Sequence, residues 1–136
     1  MDSILLALKE NFNRLMKDYG CQNMVKSVKK ILLKHPKNAY QNQEKINKEA
    51  SKLNYLGNPD FDKSCTDFDL FIGLLKSFDC EIHYLPAENT SSIDSIYTHD
   101  PCLVTNKGAI YSNMGKLDRS NEPNLLENYF KSIGVP

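Results

Sequence analysis

With 136 residues the chain has room for one domain, and 40% hydrophobic and 10% aromatic content excludes a wholly disordered chain. Seventeen Lys and Arg cancel seventeen Asp and Glu, which speaks against a nucleic-acid binder or a polybasic membrane protein. The balance hides an asymmetry: residues 1–57 carry 11 basic and 5 acidic side chains and residues 58–136 carry 6 and 12, the pattern of two oppositely charged solvated faces.

In chain order, Ile4, Leu8, Phe12, Leu15 and Tyr19 fall at helical spacing, with Asp2 or Ser3 as N-cap and Gly20 beyond the end. This predicts an N-terminal helix within residues 1–24. Val28–Leu33 is a short apolar run stopped by His35-Pro36 and reads as a buried strand. Residues 38–59 are rich in Gln, Asn and Lys. A helix fits Glu44–Leu53, and Gly57 and Pro59 end it. With few apolar anchors, this segment is expected to be a mobile flap rather than packed structure.

Asp60–Phe78 gives the clearest helix, with Phe61, Cys65, Phe68, Phe71/Ile72, Leu75 and Phe78 on one face. Cys80–Leu85 alternates and ends at Pro86, a strand pattern. Ile96–Thr105 and Ala109–Met114 read as two more strands, and Asn106-Lys107-Gly108 between them is a hairpin signal. Leu125/Leu126, Tyr129/Phe130 and Ile133 mark a closing amphipathic helix over Glu122–Ile133. The order is α-β-(flap)-α-β-β-β-α, an α/β class. A helix at the end of an alternating chain leaves the pattern looking interrupted.

No apolar run approaches the roughly 20 residues of a membrane span. The first residues lack a basic n-region and a small-residue cleavage site. Cys21, Cys65, Cys80 and Cys102 are widely spaced and form no CxxC pair, so free thiols in a reducing compartment, the cytoplasm, are expected. His35, His83 and His99 are also scattered, so neither a metal site nor a cofactor is expected.

The densest polar cluster in an apolar setting is Ile93-Asp94-Ser95-Ile96-Tyr97-Thr98-His99-Asp100-Pro101. On a regular strand Asp94, Ile96, Thr98 and Asp100 share one face. Two carboxylates beside an apolar residue are costly unless a cation or donors meet them. A ligand guanidinium would meet them with strong, planar, bidentate pairing. The alternative is a pair of turn-forming or capping Asp residues. Only Arg14 and Arg119 among the cations are Arg, so each raises the question of what its planar fork binds.

A family resemblance bears on this choice. Leu85-Pro86, Asp94 through Pro101, Val104-Thr105, Gly108-Ala109-Ile110, Asn113-Met114-Gly115-Lys116, Arg119 and Glu122-Pro123 occur in an order that resembles the guanidino-group-modifying enzymes. These are the amidinotransferases, arginine deiminases and dimethylarginine dimethylaminohydrolases of pentein fold. Val28–Pro36, Ala39-Tyr40, Leu53-Asn54-Tyr55-Leu56 and Pro59-Asp60-Phe61 resemble the opening of an amidinotransferase-type member. The likeness covers residues 25–136.

The resemblance implies the first modules of a five-fold pseudo-symmetric α/β propeller, preceded here by the N-terminal helix. It implies a small arginine-like guanidino substrate, attacked at its central carbon by a Cys nucleophile with a His acid/base. By position, Asp100 matches the aspartate that holds the guanidinium and Asp94 an acidic position at the substrate's edge. Arg119 matches the arginine that pairs with the substrate carboxylate, and His99 falls where the family varies. The family's catalytic His and Cys lie further downstream than these 136 residues reach, so Cys65, Cys80 and Cys102 are expected to be structural, and His35 and His83 packed or hydrogen-bonded.

Two function classes follow. One is the N-terminal portion of a guanidino hydrolase or amidinotransferase, inactive alone and self-associating or needing a completing chain. The other is a non-catalytic relic or interaction module. Further coding sequence with a late Gly-rich Cys segment would favour the first.

Overall fold

Parallel strands cannot be joined by a tight turn; they need a crossover, usually helical. Here β1 (Lys30–Leu33) and β2 (Glu81–Tyr84) pair in parallel with Ile31 opposite Ile82. The crossover holds α1 (Pro36–Ala39), α2 (Gln43–Glu49) and α3 (Phe61–Lys76). The computed structural model describes residues 19–21 and 23–136. The predicted N-terminal helix lies outside the described residues.

Each helix starts where side-chain chemistry satisfies its first N–H groups. The His35 ring accepts from the Lys37 amide ahead of α1, whose first residue is Pro36. Asn42 caps α2 and Asp60 caps α3, each accepting from the amide three residues on. Gln43 joins the last two elements, donating to the Pro59 carbonyl and accepting from the Phe61 amide.

After β2 the chain makes a 3-10 turn, Ile93–Ile96, and then an antiparallel hairpin. Its strands are β3 (Cys102–Thr105) and β4 (Gly108–Tyr111), with Cys102 opposite Tyr111. Gly108 sits at φ 132° with the Pro136 carbonyl oxygen against it, and a Cβ there would lie 2.3 Å from that oxygen. Only glycine meets both demands. A second 3-10 turn, Leu117–Arg119, leads into α4 (Glu122–Ser132).

Two apolar clusters form. Leu85, Cys102, Leu126, Phe130 and Val135 pack where α4 covers the hairpin and the end of β2. The predicted closing helix is therefore well packed, through Leu126 and Phe130. The other cluster is Ala39, Tyr40, Ile46, Ala50, Leu53 and Ile93. Five of these six residues belong to the segment expected to be a flap. They give it the apolar anchors that its polar composition concealed, and it packs as core. It lies against the Asp94 turn.

The predicted strand from Ile96 to Thr105 is only half formed. Residues 92–100 bend through successive i→i+3 bonds: Ser95 N to Ser92 O, Tyr97 N to Asp94 O and Asp100 N to Tyr97 O. Asp94, Ile96, Thr98 and Asp100 therefore do not share a strand face. On α3 the buried stripe is narrow, with Cys65 and Ile72 inside. Leu70, Phe71 and Leu74, with Phe78 just past the helix end, stay exposed, although Phe71 and Phe78 belong to the predicted apolar face. No helix among the described residues is long and apolar enough to cross a membrane.

Candidate functional site

Asp94 lies in the Ile93–Ile96 turn, and its position is fixed from outside the turn. Glu49, the last residue of α2, accepts the Ile93 amide at 2.9 Å. The Asp94 carboxylate is 3% exposed and accepts from Lys116 Nζ at 2.7 Å. The same ammonium donates to the Leu53 carbonyl at 2.7 Å. Lys52 pairs with Asp118 beside it. One lysine thus ties the buried carboxylate, the end of the 38–59 segment and the second 3-10 turn together. Burial first, and then the Tyr97 and Asp94 side chains, push the Tyr55 hydroxyl above its ordinary value.

Asp100 and Arg119 meet directly. Arg119 Nη1 donates to Asp100 Oδ2 at 2.8 Å. Its other face forms a fork on Glu122, Nε to Oε1 at 3.0 Å and Nη2 to Oε2 at 2.8 Å. Nη2 also reaches the Tyr97 carbonyl at 3.4 Å, and the guanidinium carbon lies 5.9 Å from the Tyr97 ring centre. The side chains of Arg119 and Glu122 are 8% and 4% exposed, while that of Asp100 is 48% exposed.

Burial by itself would lower the Arg119 pKa, and the bonds to Glu122 and Asp100 outweigh it, so the guanidinium is held charged. Burial raises Glu122 and Arg119 draws it back. On balance burial prevails and the Glu122 carboxyl is held above its ordinary value, with the bidentate guanidinium offsetting part of the rise.

The three expected site residues are thus placed differently from one another. Asp100 and Arg119 come together, with Asp100 presented towards solvent. Asp94 is buried under Lys116. Arg119 is spent inside the protein on two carboxylates and a carbonyl, rather than offered to a substrate carboxylate. His99 is exposed next to Asp100. The sequence reading missed the roles of Lys116 and Glu49. The Glu122 role carried a signal, since an Arg and a Glu three apart face each other on one helical turn.

No family model matches the chain. A curated dimethylarginine dimethylaminohydrolase from Pseudomonas aeruginosa is 32% identical over 73 residues, covering 54% of this chain and 28% of that protein. A solved structure of the Pseudomonas aeruginosa enzyme, a cysteine-to-serine variant complexed with citrulline, matches with a TM-score of 0.64 at 25% identity. That match covers 82% of this chain and 40% of the other. A histidine-to-glycine variant of dimethylarginine dimethylaminohydrolase, as its adduct with S-methyl-L-thiocitrulline, matches with a TM-score of 0.63 at 26% identity over 80% of this chain and 39% of that one. The chain has the N-terminal portion of the pentein-type fold of dimethylarginine dimethylaminohydrolases and amidinotransferases. It spans well under half the length of these relatives.

Within this portion of the pentein-type fold, Cys65, Cys80 and Cys102 are buried, and burial pushes the Cys65 and Cys102 thiols up. Raised thiols make poor nucleophiles. His35 lies edge-on to Phe68 and meets Asp69 at 3.1 Å, and His83 meets Glu81 at 2.7 Å. Among the described residues no cysteine sulfur is hydrogen-bonded to a histidine ring.

Proposed function

We propose that this chain supplies the guanidinium-gripping part of an enzyme acting on the guanidino group of arginine-like compounds, with Asp100 as the gripping carboxylate. One observation carries the reading: a half-exposed Asp100 is anchored from behind by the buried Arg119–Glu122 fork, in a chain of dimethylarginine dimethylaminohydrolase-like fold. A carboxylate offers about four lone-pair sites, so Oδ2 can bind Arg119 and leave capacity for a planar cation. Asp94 serves as the buried edge of the site, held neutralised by Lys116. Arg119 acts as a positioning residue that fixes the direction of Asp100. The thiolate and imidazole come from polypeptide outside these 136 residues, so hydrolase and amidinotransferase chemistry both fit this part.

In the assembled enzyme Asp100→Asn is expected to remove a charge-assisted pair, lowering kcat/KM for an arginine-like substrate by on the order of ten- to a hundredfold. Unchanged kcat/KM would overturn the assignment. The 136-residue chain by itself is expected to turn over neither arginine, methylarginine nor an amidino donor. Turnover that survives Cys102→Ala would refute that.

The exposed side chains of Leu70, Phe71, Leu74 and Phe78 support a second part of the reading. Apolar patches of this kind mark association surfaces. The isolated chain is expected to self-associate or to take up a completing chain through α3. Sedimentation velocity at tens of micromolar checks it, and a monodisperse monomer would be the refuting result.

A further inference from the structure

Lys34, the residue after β1, is 3% exposed and lines a cavity of about 180 Å³ between the loop after β2, the Asp94 turn and α4. Asp100 is not part of the wall, so this place is separate from the guanidinium grip. Leu85, Pro86, Pro101, Leu126 and the body of Tyr129 make most of the wall apolar.

The polar groups around Lys34 leave its nitrogen unmet. The Ser91 and Ser95 hydroxyl oxygens are sealed off by protein. Glu122, on α4, spends both carboxylate oxygens on the Arg119 fork. Glu88, in the loop after β2, attracts Lys34 only through space, as Glu122 does. Lys45 of α2 adds a like charge, and its ammonium donates to the Ser91 carbonyl at 2.7 Å. Burial keeps the Tyr129 phenol in its neutral form. Among the described residues no hydrogen bond or ion pair reaches the Lys34 nitrogen, yet that nitrogen is not sealed off.

An ammonium carries three N–H donors, and burying them without acceptors is costly. Burial therefore holds the Lys34 pKa below the ordinary lysine value, against the pull of Glu122 and Glu88. The free amine that this favours is a nucleophile. A neutral imine has no N–H donor, so conversion to one removes the unmet need. A ligand carrying negative charge would face Glu122 and Glu88 in the same wall, which selects for an uncharged one.

We propose that Lys34 is a covalent site for a small, uncharged aldehyde with an apolar body, held in this cavity as a Schiff base. The ammonium first gives a proton to solvent. The amine lone pair then forms a bond to the carbonyl carbon, and a proton passes from nitrogen to oxygen to give a carbinolamine. Loss of one water leaves the C=N bond, with no oxidant or reductant required. An apolar cavity of about 150 Å³ accepts benzene, so the volume here suits a phenyl or branched alkyl aldehyde.

Treating the 136-residue chain with benzaldehyde and sodium cyanoborohydride, which reduces an imine to a stable benzylamine, tests this, with the label mapped by peptide mass spectrometry. A lysine's free-amine fraction at neutral pH grows about tenfold for each pH unit its pKa falls. Lys34 is accordingly expected to be labelled at least about tenfold faster than the exposed Lys48 and Lys52 at neutral pH. The advantage should shrink towards about pH 10, where exposed lysines also lose their protons, and vanish in urea. 4-Carboxybenzaldehyde should lose about tenfold of the preference for Lys34 over Lys52. Leu125→Trp, at a half-buried position in the wall, narrows the cavity and should cut Lys34 labelling about tenfold with Lys52 unchanged. Lys34 labelled no faster than Lys52 at neutral pH, a preference that survives urea, an equal preference with the carboxylated aldehyde, or full Lys34 labelling in Leu125→Trp would each overturn the proposal. The parent-chain measurements decide it even if Leu125→Trp does not fold.

Discussion

Arg119→Ala should destabilise the folded chain by about 3–5 kcal/mol, a large part of the stability of a domain this size. The magnitude follows from what is left behind. Glu122 is 4% exposed and both its oxygens bond Arg119. Without the guanidinium, a carboxylate stays buried and unpaired at the start of α4. Asp100 also loses its anchor, although at 48% exposure it can turn to water. Urea unfolding read by circular dichroism gives the number. A loss below about 1 kcal/mol would mean that Glu122 finds another partner or water.

A double variant separates structure from binding. Arg119→Met with Glu122→Leu replaces the buried pair by apolar groups, and such exchanges are often neutral or stabilising. Its stability should therefore return to near the parent's. Ligand binding should not return, because Asp100 is then no longer aimed. Full recovery of both would show that Arg119 has no positioning role.

The contrast between legible and illegible parts of this chain is one of range. The hairpin was readable because Asn106, Lys107 and Gly108 settle it locally, and the buried stripe of α3 because its spacing follows from 3.6 residues per turn. The Asp94 turn was not. Its geometry depends on Glu49, 44 residues earlier, and on Lys116, 22 residues later. Alternating residues between them imitate a strand, and nothing local says that one of its carboxylates will be buried under a lysine. Asp100 and Arg119 do meet, and the fork on Glu122 occupies the rest of the guanidinium. Phe71 and Phe78 show the opposite limit: periodicity placed them on the apolar face with Cys65 and Ile72, and tertiary structure buried only the latter two.

The 38–59 segment is where composition misled most, and it yields the other large expected effect. Its Gln, Asn and Lys residues hid Ile46, Ala50 and Leu53, which recur at i, i+4 and i+7 and reach 0%, 0% and 3% exposure. Ile46→Ala should therefore cost about 2–5 kcal/mol, the range for a large aliphatic residue cut back in a closed core. Leu56, a few residues further on, is fully exposed, and Leu56→Ala should change stability by no more than about 0.5 kcal/mol. The pair forms a contrast within a single segment. A lid that lay loosely on the surface would give two small values, whereas a core element gives one large and one small. The Ile46→Ala loss should also loosen the Asp94 turn, because Ile46 and Ile93 share one apolar cluster and Glu49 of the same helix holds the Ile93 amide. Native-state hydrogen exchange at Ile93 reads this directly. Faster exchange there in Ile46→Ala, with the β3–β4 amides unaffected, is the expected result; equal small losses in both variants would return the segment to the surface.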